Sequence, residues 1–256
     1  MKAAVVRELR APLVIAGPVP EPGPGQITVR TEASGLCHTD IHAANGDWRP
    51  VKPTPPFVPG HEGVGTVHAI GRGVSAFELG ERAAVPWLGY ACGTCKHCLT
   101  GWETLCLQQC NSGCSLRRVL PRRGSRRREG TDGIDPFDAA PLTCAGVTTY
   151  KAVNVRPADL VAVSGVGGLG HLAVQYAKIF GGTVAAIDVT DEKLQLAQDL
   201  GADFVIDART EDPAAVLQEH GGADVAIGLG GDDKSFVTAY AGLRRGGLRC
   251  CPQPAS

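Results

Sequence analysis

The sequence predicts an α/β chain: a β-rich first half, then an incomplete doubly wound parallel sheet. Three observations lead there. The first ~145 residues break into short β-like runs separated by Gly and Pro clusters. From about Val147 strands alternate with helical stretches, which is how a parallel sheet with crossover helices reads. The 34 glycines and few aromatics suit tight turns and close backbone approaches better than a large aromatic core.

In the first half, Lys2–Val6, Ile27–Ala33, Gly63–Ala69 and Arg82–Val85 are β-like, and Pro18–Gly25 is a turn cluster. In the second half Leu160–Val163 is a short apolar run, His171–Phe180 has helical spacing, Thr183–Ile187 is a strand and Asp191–Leu200 a helix. Strands follow at Phe204–Ile206 and Asp224–Ile227, with helical stretches at Pro213–His220 and Lys234–Arg244. A fifth strand begins at Leu248. The expected domains are 1–146 and 147–256.

Bulk properties exclude several classes. A hydrophobic content of 43% is ordinary for a globular protein, and a net charge of −1 gives no field for nucleic acid or an acidic membrane. No apolar run approaches the ~18 residues of a spanning helix. The start, with Arg7, Glu8 and Arg10, lacks a signal core, so a cytoplasmic protein is expected. Ten cysteines in a reducing compartment point to metal before disulfides.

Cys92, Cys95, Cys98 and Cys106 form C-x2-C-x2-C-x7-C on a Gly-containing loop. Four thiolates at this spacing can close a tetrahedron around Zn²⁺ in a structural site; iron–sulfur ligation is the rival. A second, dispersed set is Cys37 in Gly-Leu-Cys-His-Thr-Asp, His61 in Gly-His-Glu-Gly, and Cys144 in Leu-Thr-Cys-Ala-Gly. Two thiolates and an imidazole leave one position open, as catalytic zinc requires; singly, each of these residues is more often a packed side chain.

Ser164-Gly-Val-Gly-Gly-Leu-Gly170 follows a strand and opens a helix. In a dinucleotide-binding Rossmann turn Gly165 permits the tight turn, Gly167 lets the backbone approach a pyrophosphate, and Gly170 allows close helix–strand packing; Gly168 belongs to the same cofactor-binding loop. Asp188, 18 residues after Gly170, stands where a carboxylate accepts ribose hydroxyls and repels a 2′-phosphate, which favours NAD.

Taken together, Cys37-His-Thr-Asp, Gly60-His-Glu-Gly, the four-cysteine lobe and Cys144-Ala-Gly-Val-Thr resemble the zinc-dependent alcohol dehydrogenases of the medium-chain dehydrogenase/reductase superfamily. The resemblance runs from Met1 to about Gln109 and from about Ile134 to Gly247. It implies a GroES-like catalytic domain and a Rossmann NAD-binding domain. It implies one catalytic zinc on Cys37, His61 and Cys144, with Glu62 a neighbouring carboxylate, and one structural zinc in the lobe. Asp40 would orient the ligand histidine, and Thr39 and His42 would relay a proton. Thr148 would lie beside the nicotinamide, Lys193 would touch the cofactor, and Trp48 and Trp87 would line a pocket for small primary alcohols. The implied reaction is hydride transfer from an alcohol to NAD, giving an aldehyde or ketone, in a cytoplasmic homo-oligomer.

The chain also departs from that pattern. The implied sheet has about six strands, of which about four and the start of a fifth are visible, so roughly the last quarter of a usual chain is expected to be absent. Ser115–Gly130 carries seven arginines between Arg117 and Arg128 where the family is Gly-rich and β-like. Its composition matches a GC-rich gene read in another frame, or a solvated insertion, and residues 248–256 read similarly. Three rival functions follow: an inactive zinc-binding remnant, a zinc reductase of other carbonyls, and a zinc ribbon binding nucleic acid through its arginines. The last leaves Cys37, His61 and the glycine loop unexplained; the paired Trp favour simple alcohols over other carbonyls.

Overall fold

The computed structural model describes residues 3–16, 21–47, 53–111, 133–230 and 233–250. The arginine-rich stretch, Trp48 and the tail after Cys250 lie outside the described residues. Two compact units meet in sequence between Cys144 and Ala145.

In the first unit β1 (Ala3–Val5) pairs antiparallel with β2 (Val14–Ala16). An antiparallel sheet follows, β3 (Ile27–Ser34), β4 (Gly63–Ile70) and β5 (Arg82–Val85), with β4 central. Its alternation buries Ile27, Val29, Val67, Ala83 and Val85 together, with Ile70, Val74 and Phe77 at the margin. A second cluster joins Ala33 and Val64 to Ala139 and Ala140. Between β3 and β4 runs α1 (His38–Asn45), stopped by Gly46 in the left-handed region (φ 69°). A side chain there would also meet Leu9, at 2.7 Å from its Cδ1.

After β5 come β6 (Leu88–Tyr90), the short α2 (Lys96–Leu99), a 3₁₀ turn (Glu103–Leu105) and β7 (Cys110–Asn111), which pairs with β6. Next is α3 (Pro136–Pro141), whose N-cap Asp135 accepts the Phe137 N–H at 2.8 Å. Pro141 has no N–H to continue the helical ladder, and the chain widens into a π-helical turn, Leu142–Gly146, carrying Cys144. The sequence reading contained neither α1 nor this turn.

The second unit opens with α4 (Val147–Ala152). Five parallel strands follow: β8 (Leu160–Ser164), β9 (Thr183–Asp188), β10 (Phe204–Asp207), β11 (Ala223–Gly228) and β12 (Leu243–Cys250). They are ordered β10-β9-β8-β11-β12. The helices are α5 (Gly170–Ile179), α6 (Asp191–Asp199), α7 (Pro213–Glu219) and α8 (Asp233–Ala241). Both sheet faces are covered, which is why β8 is buried throughout. Val161, Val163, Val184, Ala186, Val225 and Ile227 pack with α5 through Ala173, Val174 and Ala177. Leu160, Ala162, Ala185, Ile187 and Ala226 face the other way, with Leu217 of α7 and Ala239 of α8.

One element differs from expectation. The helical stretch read as Lys234–Arg244 ends at Ala241, and the fifth strand starts at Leu243, not Leu248. Arg244 belongs to the strand because its guanidinium pairs with Asp224 of β11. The register then jumps from Ala223↔Leu243 to Val225↔Leu248, with Gly246 at φ 75° inside the bulge. That interruption hides the strand from a period-two reading.

Gly65 tests the central pairing of the first unit. A Cβ there would stand 2.0 Å from the Arg30 carbonyl oxygen, so Gly65→Ala forces β3 and β4 apart. The expected cost is about 1–3 kcal/mol, read as a lower urea midpoint with an unchanged slope; an unaltered midpoint would show that the strands yield freely.

Candidate metal centres and nucleotide loop

Cys37 caps the N-terminus of α1, and Asp40 sits in its first turn. The Asp40 carboxylate gathers three partners. Its Oδ2 accepts the Cys37 N–H at 3.1 Å; its Oδ1 accepts the Gly60 N–H at 2.9 Å and lies 3.1 Å from His61 Nδ1. Burial alone would raise this carboxyl, but the hydrogen bonds from His61, Cys37 and Gly60 hold it below the usual range. With Nδ1 engaged, the other ring nitrogen of His61 is the one left for a ligand. That Nε2 is buried, with no oxygen or nitrogen partner among the described residues.

Cys37, His61, Glu62 and Cys144 bring their donor atoms within 4.8 Å of one another. The sequence spreads these residues over more than a hundred positions; β3–α1, the loop before β4 and the π-turn converge them. Glu62 is 4% exposed and lies against Gly35, where a Cβ would come 1.8 Å from Glu62 Oε2. Trp87 meets the His61 ring edge-on, with centroids 4.9 Å apart. Thr39 hydrogen-bonds the Cys37 sulfur. His42, one turn on, pairs with Asp47 at 3.1 Å and stacks on His38 at 4.7 Å. Sequence reading missed Asp47; its only signal was its place just beyond the Gly46 stop.

The electrostatics fit a cation. The Cys144 thiol lowers Cys37 to about 4, against burial and helped by His61 and Thr39. Cys144 is pushed up, first by its bond to Cys37, then by burial and the negative charges of Cys37 and Glu62. Burial would lower His61, yet Asp40 and Cys37 raise it to about 9. A buried orphan nitrogen, two thiols and a carboxylate converging on one point match the donor set of zinc.

The lobe is a separate cluster. Cys92, Cys95, Cys98 and Cys106 also bring their sulfurs within 4.8 Å of one another. Cys92 to Cys98 is 3.8 Å and Cys95 to Cys98 is 3.6 Å. A Zn–S bond of about 2.3 Å gives a tetrahedral edge of about 3.8 Å, so one ion fits. A cubane iron–sulfur cluster would place each sulfur on a different iron and spread them further. The Cys92 sulfur accepts the Cys95 N–H at 3.3 Å, and Cys106 accepts the Cys92 N–H at 3.5 Å, which steadies thiolates.

In the second unit the glycine loop joins β8 to α5. Gly165 has φ 94°, and a Cβ there would lie 2.9 Å from Gly230 N. At Gly170 it would lie 2.0 Å from the Gly165 carbonyl oxygen. At Gly167 and Gly168 it would meet open space, so backbone there is reachable. The Gly167 carbonyl accepts the His171 N–H at 3.2 Å and lies 2.9 Å from His171 Nδ1, a contact the sequence did not suggest. Asp188 Oδ2 accepts the Val166 N–H at 2.7 Å, tying the loop to β9. Lys193 Nζ stands 3.9 Å from Asp188 Oδ1. Thr148 sits half-buried on α4.

An alcohol dehydrogenase GroES-like domain model matches residues 23–127, and a zinc-binding dehydrogenase model matches 168–250. An alcohol dehydrogenase of Rhizobium meliloti is 50% identical over 96% of this chain and 75% of its own length. One from Moraxella sp. is 48% identical over 98% of the chain and 77% of its own length. The chain belongs to the zinc-binding alcohol dehydrogenases. A solved NAD-dependent alcohol dehydrogenase superposes with a TM-score of 0.86 at 31% identity, covering 98% of this chain and 77% of that one. The chain is thus an oxidoreductase by family, and it spans about three-quarters of the length of these relatives. Among the described residues no helix is long and apolar enough to cross a membrane.

The metal-free cluster makes a pH prediction. At pH 7 His61, raised to about 9, holds a proton on Nε2, and the raised Cys144 thiol holds another. Zinc must displace both. Its affinity for this cluster should therefore rise with pH from 6 towards 9, by about tenfold or more per unit, measured by chelator competition after the lobe is loaded. A flat profile would show that the donors are already deprotonated.

Proposed function

We propose that this chain oxidises small primary or secondary alcohols to aldehydes or ketones, with NAD as hydride acceptor, using residues 1–146 for catalysis and 147–256 for the nucleotide. The observation that carries this is the convergence of Cys37, His61, Glu62 and Cys144 around a buried imidazole nitrogen that has no oxygen or nitrogen partner among the described residues. Cys37, His61 and Cys144 would hold the catalytic zinc, which would supply a Lewis acid for the alcohol oxygen. Cys92, Cys95, Cys98 and Cys106 would hold a structural zinc, since four thiolates leave no open position.

The chain's own groups do the rest. Asp40 fixes the His61 ring so that Nε2 faces the metal position. Glu62 supplies a buried carboxylate beside the thiolates. Thr39 stands at the Cys37 sulfur, and His42 lies three residues further along the same helix. Together they offer a path for the alcohol proton outward, with Asp47 as partner to the imidazole. Trp87, edge-on to His61, would line the substrate pocket that the resemblance assigns to it and would favour short alcohols. Trp48 is assigned to the same pocket by resemblance alone.

In the second unit the open backbone at Gly167 and Gly168 would take the pyrophosphate at the start of α5. Gly165 and Gly170 allow the turn beneath it. Asp188 and Lys193 would meet the ribose hydroxyls, with the carboxylate favouring NAD. Thr148 is assigned beside the nicotinamide by resemblance. A nicotinamide held there would supply the acceptor for the hydride that leaves the alcohol carbon. The resemblance also supports a cytoplasmic homo-oligomer.

Zinc-loaded protein with NAD and ethanol should reduce the cofactor, followed as NADH absorbance. Cys144→Ser should lower kcat/KM by at least about 100-fold while the lobe keeps its zinc. Trp87→Ala should shift preference towards longer alcohols. Full turnover in Cys144→Ser would remove that residue from the ligand set.

A further inference from the structure

The carboxyl ends of the parallel strands carry a second charged cluster beside Asp188. Asp207 closes β10 directly opposite Asp188, and the Ala208 N–H donates to the Asp188 carbonyl at 3.0 Å. Arg209 therefore leaves the sheet at the same edge. Asp191, three residues past Asp188, begins α6. Arg209 lies between the two acids. Its Nε donates to Asp207 Oδ1 at 2.8 Å, its Nη2 to Asp207 Oδ2 at 2.7 Å, and its Nη2 also to Asp191 Oδ1. Asp207 also accepts the Arg209 backbone N–H at 2.9 Å, which fixes the chain that presents the guanidinium.

A guanidinium near the end of the second strand is what a 2′-phosphate uses, because its planar fork matches phosphate oxygens. Here that fork is already committed to two carboxylates. Asp188, Asp191 and Asp207 outnumber Lys193 and Arg209, so the edge is net negative. The pairing with Asp191 is exposed, with Arg209 45% and Asp191 81% accessible, and exposed ion pairs are weak. Removing Asp191 should release one of the two carboxylates on Nη2, while Asp207 still holds the guanidinium at this edge.

We propose that Arg209 is a latent 2′-phosphate ligand, kept out of use by Asp191 and Asp207, and that this cluster is a second determinant of NAD over NADP beside Asp188. The proposal rests on the reading of Asp188 as the ribose acceptor. It adds that neutralising Asp188 alone leaves Arg209 committed to Asp191 and Asp207.

The test measures NADH and NADPH dissociation constants by nicotinamide fluorescence in low salt, on the full chain, without turnover. Asp188→Asn keeps an oxygen for the Val166 N–H and so preserves the loop. That variant should lose NADH affinity and gain little for NADPH. Adding Asp191→Asn should tighten NADPH a further ~10-fold or more, and adding Arg209→Ala to that pair should cancel the gain. Asp199→Asn, at the far end of α6, removes the same charge and should not reproduce the effect in the Asp188→Asn background. No gain from Asp191→Asn, a gain that survives Arg209→Ala, or an equal gain from Asp199→Asn would each overturn the role of Arg209. NADH affinity unchanged in Asp188→Asn would instead overturn the ribose reading beneath it.

Discussion

The first unit turns on one carboxylate. Asp40 binds the N-terminus of its own helix through Cys37, the turn before β4 through Gly60, and the imidazole of His61. Those contacts hold two distant segments of chain at one point, and they choose which nitrogen of His61 faces the other donors. The carboxylate is 12% exposed, so removing a partner leaves a charge poorly solvated; breaking such a buried pair costs about 3–5 kcal/mol. His61 Nε2, buried with no oxygen or nitrogen partner among the described residues, is the counterpart of that arrangement: a bound metal would satisfy it.

A similar constraint organises the second unit. Asp188 is 7% exposed, and its Oδ2 holds the Val166 N–H. The glycine loop is thereby fixed from the β9 side while the His171 contacts fix the Gly167 carbonyl from the helix side. The open backbone between them is held ready without a side chain above it. Preorganisation of this kind limits what binding must spend on ordering a loop.

Much of the fold was legible because its signals are local. Strand β8 reads as a short apolar run, β9 and β11 read as strands between helical stretches, and Gly165 and Gly170 sit where a Cβ has no room. The lobe was legible because all four cysteines lie within fifteen residues and fold onto each other. Cys37, His61 and Cys144 were different. Their spacing alone carries little, and the resemblance singled them out before the geometry brought them together. Elements set by tertiary contact were not readable. Helix α1 has no buried residue, and its stop is Gly46 in the left-handed region, where Leu9 leaves no room for a side chain. The π-turn under Cys144 follows Pro141, and β12 is split by a bulge that holds Gly246 at positive φ. Asp47 and His171 contribute through hydrogen bonds that no sequence period announces.

The central claim is that two zinc ions occupy two separate donor sets in the first unit. Anomalous diffraction from crystals of the zinc-loaded chain, recorded at the zinc absorption edge, tests it most directly. The account predicts two peaks per chain. One should lie within bonding reach of Cys37, His61 Nε2 and Cys144, and the other about 2.3 Å from each of the four lobe sulfurs. A single peak confined to the lobe, or a second peak away from His61, would contradict it.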